Sequence, residues 1–208
     1  MPRDGKRVRG STEERARVRE ELRGELLAAA RTLIEETGGT RSVTMRAVAD
    51  RVGYTAPIVY QYFANKRDLL LGVVDDGFGE LADRLAEADA LPAAAEAYWT
   101  FAMRRPHVYR LMHGLVDVPF GTAAAPAAAR RCFELLRTAV EAAAPEHPAT
   151  GEDDDAATDL YWAHLHGLVM LTLDGRIKGG RRRAYRLVRH IVAGHAPDSS
   201  RHPSTTTE

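Results

Sequence analysis

Apolar residues recur at steps of three and four along most of this chain, a spacing that is typical of amphipathic helices. The first such stretch covers Thr12–Thr37, with Leu26 and Ala30 on its apolar side, and a Gly38–Gly39 pair stops it. No stretch alternates apolar and polar residues in the way a half-buried strand does. The pattern therefore predicts an all-α protein.

Turn residues and capping residues predict where the later helices begin and end. A short second helix is predicted over 45–51, after Ser42 or Thr44. A third helix runs from Thr55 to about residue 63, and a fourth from Asn65 to about residue 88. Beyond them the predicted helices are 92–104, 106–116, 123–144 with an early interruption at Pro126, 153–178 and 181–193, with a loop over 145–151.

These elements predict two domains between two terminal segments. Residues 1–20 hold a basic arm and the start of the first helix, and residues 21–70 form a three-helix helix-turn-helix domain. Residues 71–195 form a helical domain for effector binding and dimerisation, and the polar, Pro- and Ser/Thr-rich residues 196–208 form a disordered tail.

The segment TMRAVADRVGYTAPIVYQYF has the spacing of a helix-turn-helix. Ala49 lets two short helices cross closely, Gly53 makes the turn between them, and Val59 and Phe63 close the seam on the second helix. The opposite face of that helix carries Ala56, Pro57, Tyr60, Gln61 and Ala64, where an ordinary solvent face would carry Lys and Glu.

Such a face suits the major groove of DNA. Gln61 could pair with adenine, and Ala56 and Pro57 could touch thymine methyl groups. Phosphate contacts are expected from Tyr60, Tyr62 and Lys66 and from the helix N-termini at Thr44 and Thr55. The alternative is a helical hairpin of an effector-binding or enzymatic protein, which would show no salt-dependent DNA binding. Membrane attachment by the basic arm is disfavoured, because residues 1–20 have little apolar surface.

Charge is divided unevenly although the formal net charge is zero. Residues 1–70 hold 14 Lys and Arg against 10 Asp and Glu, and the remainder holds 15 against 19. A basic front and an acidic back favour two tasks on one chain. Cys132 is the single cysteine, and no leader or membrane-length apolar run is visible, so a reducing, cytoplasmic setting is expected.

The stretch ELLAAARTLIEETGGTRSVTMRAVADRVGYTAPIVYQYFANKRDLL resembles the N-terminal domain of the tetracycline-repressor-like (TetR) family. The resemblance implies a transcription regulator, not an enzyme. It implies DNA contacts at Thr44, Thr55, Ala56, Pro57, Tyr60, Gln61, Tyr62 and Lys66. Tyr54 departs from the usual Val after the turn glycine and could alter operator preference.

The segments YWTFAMRRPHVYRLMHG and WAHLHGLVMLTLDGRI resemble the family's ligand domain of the Trp-His-Gly type, here Trp162, His166 and Gly167. The family resemblance implies a cytoplasmic homodimeric repressor that a small effector releases from a palindromic operator, without a cofactor. An apolar or amphipathic effector could contact Trp99, Met112, Trp162 and His166, although core packing explains these residues nearly as well. The helices from about 153 and 181 should form the dimer seam, with Gly167, Leu171, Leu187 and Ile191 in it.

No catalytic or metal-binding residues are predicted. His164 and His166 lie two positions apart on a helix and point in different directions, so they cannot share one ion. The acidic run Glu152–Asp155 could bind a cation, but it more simply complements a helix N-terminus. Cys132 is expected to be an inert, half-buried residue.

Overall fold

The computed structural model of this protein describes residues 11–115, 118–143 and 155–193. These residues contain helices and no strands, which confirms the predicted all-α class. The helices are α1 Thr12–Thr37, α2 Met45–Val52, α3 Ala56–Tyr60, α4 Lys66–Ala86, α5 Leu91–Arg104, α6 Pro106–Gly114, α7 Ala127–Ala143, α8 Ala156–Leu173 and α9 Gly180–Ala193.

The chain divides into two compact units between Asp76 and Gly77, inside α4 and a few residues beyond the predicted boundary at about 70. The basic arm over residues 1–10 and the tail over 196–208 lie outside the described residues, as does the loop over 145–151. None of the described helices is long and apolar enough to cross a membrane.

The N-terminal unit is built on α1, whose bounds are those that the sequence predicts. Ser11 caps this helix by accepting the N–H of Glu14. On its inner side Leu26, Ala30 and Ile34 are completely buried. Helix α2 packs against both α1 and α3 and so connects the short helix α3 to the long helix α1.

Helix α3 is shorter than predicted, ending at Tyr60 instead of about residue 63. The N–H groups of Gln61 and Tyr62 turn back to carbonyls only three residues earlier, Ile58 and Val59, at 3.0 Å. This tighter winding ends the α-helix one turn early. The next helix starts as predicted, because Asn65 Oδ1 accepts the N–H of Asp68 at 3.0 Å.

The C-terminal unit surrounds α5, which packs against α6, α7, α8 and α9. Alternate small and large side chains allow this close packing: Ala94, Ala95 and Ala102 are buried beside Tyr98 and Phe101. The buried positions of α5 recur at steps of three and four from Leu91 to Ala102, which is the apolar pattern of its sequence.

Three predicted helix ends in this unit were wrong. The predicted 106–116 helix ends at Gly114. The predicted 123–144 helix starts only at Ala127, because Pro126 disfavours the helical conformation in the residue before it. The predicted 153–178 helix ends at Leu173, where Gly175 adopts φ +68° and Arg176 donates its N–H to the carbonyl of Leu171 at 2.8 Å. This left-handed cap stops the helix before the Gly179–Gly180 pair that the sequence favoured.

Candidate functional site

The turn between α2 and α3 presents α3 to the outside of the N-terminal unit. Gly53 has φ +78°, a conformation that glycine adopts without steric penalty. The N–H of Tyr54 donates to the carbonyl of Ala49 at 2.9 Å and closes the turn. Val59 and Phe63 are buried behind the helix, as predicted, so the opposite side of α3 faces outward.

That outward side carries an amide, phenols and small apolar groups. Tyr60 is 55% exposed, Gln61 and Pro57 are exposed, and Ala56 and Tyr62 are half-buried. The α3 helix carries neither Lys nor Glu. Its chemistry therefore differs from that of an ordinary solvent-facing helix.

The two threonines at the starts of α2 and α3 play different local roles. Thr44 Oγ1 accepts the N–H of Ala47 at 3.0 Å and thereby caps α2. Thr55 is the N-cap residue of α3, but its side chain makes no capping hydrogen bond. Both residues are exposed beside helix N-termini, where backbone N–H groups point outward.

Arg19 supports the end of α3, and sequence reasoning missed this residue. Its guanidinium donates to the carbonyl of Gln61 at 3.2 Å and lies 5.3 Å from the centre of the Tyr62 ring. Arg23, one turn further along α1, lies 5.7 Å from the centre of the Phe63 ring. The basic, exposed end of α1 was the available signal, but only the fold shows what it touches.

Lys66 lies beside the same surface, and its ammonium group makes a hydrogen bond within the N-terminal unit. Its Nζ donates to the carbonyl of Thr40 at 2.6 Å. Because an ammonium has three donors, the group can still take another partner.

A cavity of about 330 Å³ lies inside the C-terminal unit. It lies between the second half of α4, helices α5 to α8 and the segment before α7, and its walls are mainly apolar and aromatic. The lining residues are Phe78, Leu81, Tyr98, His113, Phe120, Gly121, Thr122, Ala125, Ala129, Arg130, Cys132, Phe133, Glu134, Leu136, Asp155, Asp159 and Trp162. Its size is at the lower end of the range for small-molecule sites.

The four residues predicted to contact an effector are in different places. Trp162 lines the cavity, whereas His166 lies behind its wall, hydrogen-bonded to Tyr109. Trp99 is buried with its ring centre 5.9 Å from that of Tyr185, away from the cavity. Met112 is fully buried and packs against the backbone of Gly77. Trp99 and Met112 thus pack against other residues of this unit, and their contact with an effector stays a prediction.

A chain of hydrogen bonds begins at Trp162 and Tyr98 in the cavity wall and continues behind it to Tyr109 and His166. Trp162 Nε1 donates to Tyr98 Oη at 3.0 Å, Tyr98 and Tyr109 hydroxyls are 2.7 Å apart, and Tyr109 Oη is 2.7 Å from His166 Nδ1. In one consistent arrangement, the Tyr98 hydroxyl accepts from Trp162 and donates to the Tyr109 hydroxyl, which in turn donates to Nδ1 of His166. That arrangement needs a neutral His166, and burial lowers the pKa of His166.

His113 lies at the centre of this cluster of rings. Its ring centre is 4.6 Å from those of both Tyr109 and His166. Burial, together with the neighbouring His166, lowers the pKa of His113 to about 3, so the ring is neutral near pH 7. Tyr98 and His113 were not among the predicted site residues, because only long-range contacts bring them to this cluster.

Cys132 is buried, more so than predicted, and donates from Sγ to the carbonyl of Phe78 at 3.2 Å. Burial raises the pKa of its thiol to about 12, so it stays protonated and unreactive near pH 7. Within the described ranges, no three His, Cys, Asp or Glu side chains are grouped so that they could hold a metal ion. Of the acidic run 152–155, only Asp155 is described.

Helices α8 and α9 leave apolar side chains on the surface. Leu171 is 42% and Leu160 61% exposed, and Leu187 and Ile191 on α9 are half-buried. Nothing lies within 4 Å of the position that a Cβ would take at Gly167. A second surface could therefore approach the α8 backbone closely there.

The two units match two family models. Residues 26–73 match the model described as bacterial regulatory proteins of the tetR family, and residues 91–195 match the one described as the tetracyclin repressor-like C-terminal domain. One relative, the HTH-type transcriptional activator FasR of Mycolicibacterium smegmatis, is 32% identical over 102 residues. That match covers 45% of this chain and 46%, slightly less than half, of the relative.

Solved structures share the fold. A protein of unknown function from Rhodococcus sp. RHA1 is 22% identical with a TM-score of 0.67, covering 83% of this chain and 94% of that one. A TetR transcriptional regulator from the same organism is 21% identical with a TM-score of 0.59, covering 88% and 100%.

Proposed function

This chain belongs to the tetR family of bacterial regulatory proteins, and we propose that it is a repressor that a small molecule releases from a palindromic operator. Proteins of this family are DNA-binding transcription regulators and not enzymes, which sets aside the enzymatic alternative. They typically bind small-molecule effectors rather than cofactors. Because the proposed target is chromosomal DNA, the proposed location is the cytoplasm.

The outward face of α3 is the observation that supports operator recognition most directly. The exposed Gln61 amide has the donor and acceptor pair that matches adenine in the major groove. Ala56 and Pro57 offer small apolar groups for thymine methyls. Tyr60, 55% exposed, can reach the groove wall or a phosphate.

The proposed phosphate contacts surround this face. Thr44 and Thr55 lie at helix N-termini, whose N–H groups favour anions. Tyr62 and Lys66 complete the set, and Arg19 holds the turn on which Tyr62 lies. Such contacts fix the position of the protein on DNA without reading its sequence.

The proposed dimer uses the apolar surface of α8 and α9, including Gly167, Leu171, Leu187 and Ile191. The family implies dimerisation, and two copies of this helix pair would form a four-helix bundle. A two-fold dimer places two reading helices about one DNA turn apart, roughly 34–36 Å, which predicts a palindromic operator.

In the proposed switch, the effector occupies the cavity and shifts the second half of α4, which supplies Phe78 and Leu81 to its wall. The effector releases DNA only if it binds the DNA-free conformation more tightly than the DNA-bound one. The relative from Mycolicibacterium smegmatis is named as an activator. A promoter fusion measured with and without this protein therefore decides between repression and activation.

The DNA-binding proposal is tested with the duplex upstream of the protein's own coding sequence, using fluorescence anisotropy at several salt concentrations. We expect affinity to fall steeply with salt, because phosphate contacts release counterions. We expect Gln61→Ala to lose about 1–3 kcal/mol of preference for this duplex over a scrambled one, with the salt slope unchanged.

Thr32→Ala is the matched control, because Thr32 is exposed on α1 and its hydroxyl bonds only to the carbonyl of Ala28 in its own helix. It should bind like the wild type. Equal duplex preference in Gln61→Ala and wild type, or binding that does not respond to salt, would contradict the proposal.

A further inference from the structure

Two buried polar atoms around the C-terminal cavity have no hydrogen-bond partner. In the part of the chain that the structure describes, three buried side-chain atoms lack one: Arg84 Nε, His113 Nε2 and Asp155 Oδ1. His113 and Asp155 both line the cavity. Burying a polar atom without a partner is unfavourable, so a molecule that supplies the partner gains affinity.

Asp155 lies at the start of α8, but its side chain does not cap that helix. It is the N-cap residue, yet its side chain makes no capping hydrogen bond. Its one recorded ion pair is distant, with 3.8 Å between Oδ1 and Arg137 Nη1, and Arg137 lies closer, at 2.7 Å, to Glu134. Only Oδ1 is buried, whereas the Asp155 side chain as a whole is 48% exposed, so its carboxylate is accessible to a donor from another molecule.

The charges that line the cavity are mostly negative. Glu134, Asp155 and Asp159 line it together with one cation, Arg130, whose guanidinium donates to the carbonyl of Ala123 at 2.5 Å. Arg137 lies outside the lining and pairs with Glu134. No ion pair of the described residues involves Asp159. His113 adds no positive charge, because its pKa is lowered to about 3.

The walls of the cavity are rich in aromatic rings. Phe78, Phe120, Phe133 and Trp162 supply them, from α4, the segment before α7, α7 and α8. Aromatic faces attract organic cations, and most strongly where water is excluded. An anion would instead meet negative ring faces, the Asp155 and Asp159 carboxylates and the guanidinium of Arg130, which already donates to Ala123.

We propose that this cavity binds a lipophilic organic cation, an aromatic body carrying a protonated amine. The ammonium group donates to Asp155 and lies near Asp159, and the body packs against Phe78, Phe133 and Trp162. A hydroxyl group on the body pairs with His113 Nε2. This inference rests on the proposed function, since it names the chemical class of that regulator's effector.

The proposal is tested by isothermal titration of the full-length protein, without DNA, with four probes that share one phenyl ring and a two-carbon linker. These are 2-phenylethylamine, its hydroxylated form tyramine, the neutral 2-phenylethanol and the anionic 3-phenylpropionate. We expect the amine to bind about tenfold or more tightly than the alcohol, because a charged donor strengthens the hydrogen bond. Tyramine should bind more tightly still, and the carboxylate most weakly.

Two variants locate the charge recognition. Asp155→Asn keeps the size and helix-start preference of the residue, and it should reduce the ratio of amine to alcohol affinity towards one. Asp159→Asn should reduce it less, and it provides a second measurement if the first variant is unstable. Glu87→Gln is the control, because Glu87 is exposed and does not line the cavity, and it should leave the ratio unchanged.

Equal affinities for amine and alcohol, tighter binding of the carboxylate, or no binding of any probe would overturn the proposal. An unchanged affinity ratio in both aspartate variants would do the same. Release of the operator duplex is measured separately. If the probes bind in the expected order without releasing DNA, the cation site is supported and effector release fails. If the protein binds its operator duplex but the affinity order does not hold, DNA binding is supported and the cation site fails.

Discussion

Single buried residues determine the electrostatic character of the C-terminal unit. Tyr98, Tyr109, His166 and Trp162 satisfy one another through hydrogen bonds of 2.7 to 3.0 Å, whereas His113 touches them mainly through its ring. A hydrogen-bonded network in a low-dielectric interior is stable when complete and unfavourable when a member is unpaired. The neutral form of His113 is therefore part of the folded structure, and adding a proton should disturb it.

We expect the stability of the wild type to fall as the pH drops below about 6.5. Unfolded His113 takes up a proton near its ordinary pKa of 6.5, whereas the folded residue does so only near 3. Between these values the unfolded chain binds more protons, so the free energy of unfolding decreases with falling pH, by at most about 1.4 kcal/mol per pH unit for this one group.

His113→Phe keeps an aromatic ring but cannot titrate, so its stability should fall less steeply over this range. The measurement is urea unfolding followed by tryptophan fluorescence, which reports on the C-terminal unit because Trp99 and Trp162 both lie there. His190→Phe, at an exposed position on α9, is the matched control and should retain the wild-type slope. Equal slopes in wild type and His113→Phe would contradict the assignment.

At the scale of elements, the N-terminal unit depends on how two short helices are joined. Helices α2 and α3 contain 8 and 5 residues, too few to be stable alone in water. They hold together through the turn at Gly53, the buried seam of Val59 and Phe63, and the Arg51 guanidinium, 2.6 Å from a Glu36 oxygen on α1. The turn is thus the point at which one substitution should affect both helices.

Gly53→Ala should destabilise this unit by about 1–2 kcal/mol, because an alanine at φ +78° is strained even with open space around its Cβ. Gly24→Ala is the matched control, and its effect on stability should have the opposite sign. Gly24 lies on the exposed side inside α1, also with open space around it, and alanine there should stabilise by about 0.5–1 kcal/mol. Amide hydrogen exchange in α1 to α3 measures both effects. A loss of protection in both variants would contradict the conformational explanation.

For the molecule as a whole, the chain divides into two compact units that offer different surfaces. The N-terminal unit presents a short exposed helix, and the C-terminal unit encloses a cavity and exposes apolar parts of α8. Exposed apolar surface of this kind marks sites of association. Because the family implies dimerisation, the α8 surface is the place to test it.

Leu171→Glu should convert the proposed dimer into a monomer, because a carboxylate buried in an interface without a partner is strongly unfavourable. Val18→Glu is the control: Val18 and Leu171 are both 42% exposed, but Val18 lies on α1 in the other unit. Size-exclusion chromatography with light scattering gives the mass of each variant. A Leu171→Glu protein that remains dimeric would show that the interface lies elsewhere.

The sequence by itself determined the fold class, the family and the N-terminal helix-turn-helix. The signals for these features are local: Ser11, Thr44 and Asn65 cap helices through bonds to residues three positions away, and Gly53 makes its turn within the same short segment. The apolar period likewise placed Val59 and Phe63 inside, and thereby Gln61 outside. The Trp-His-Gly subtype of the ligand domain stays a prediction.

Only the tertiary structure decided which residues meet across the chain. Arg19 reaches Gln61 and Tyr62, and three separate helices, α5, α6 and α8, bring Tyr98, His113, Asp155 and Trp162 around one cavity. Trp99 and Trp162 look alike in the sequence, since each is a large ring on an apolar helix, yet one packs against Tyr185 and the other lines the cavity. The physical reason is that periodicity tells which side of a helix is buried, whereas the neighbouring helices determine what that side touches.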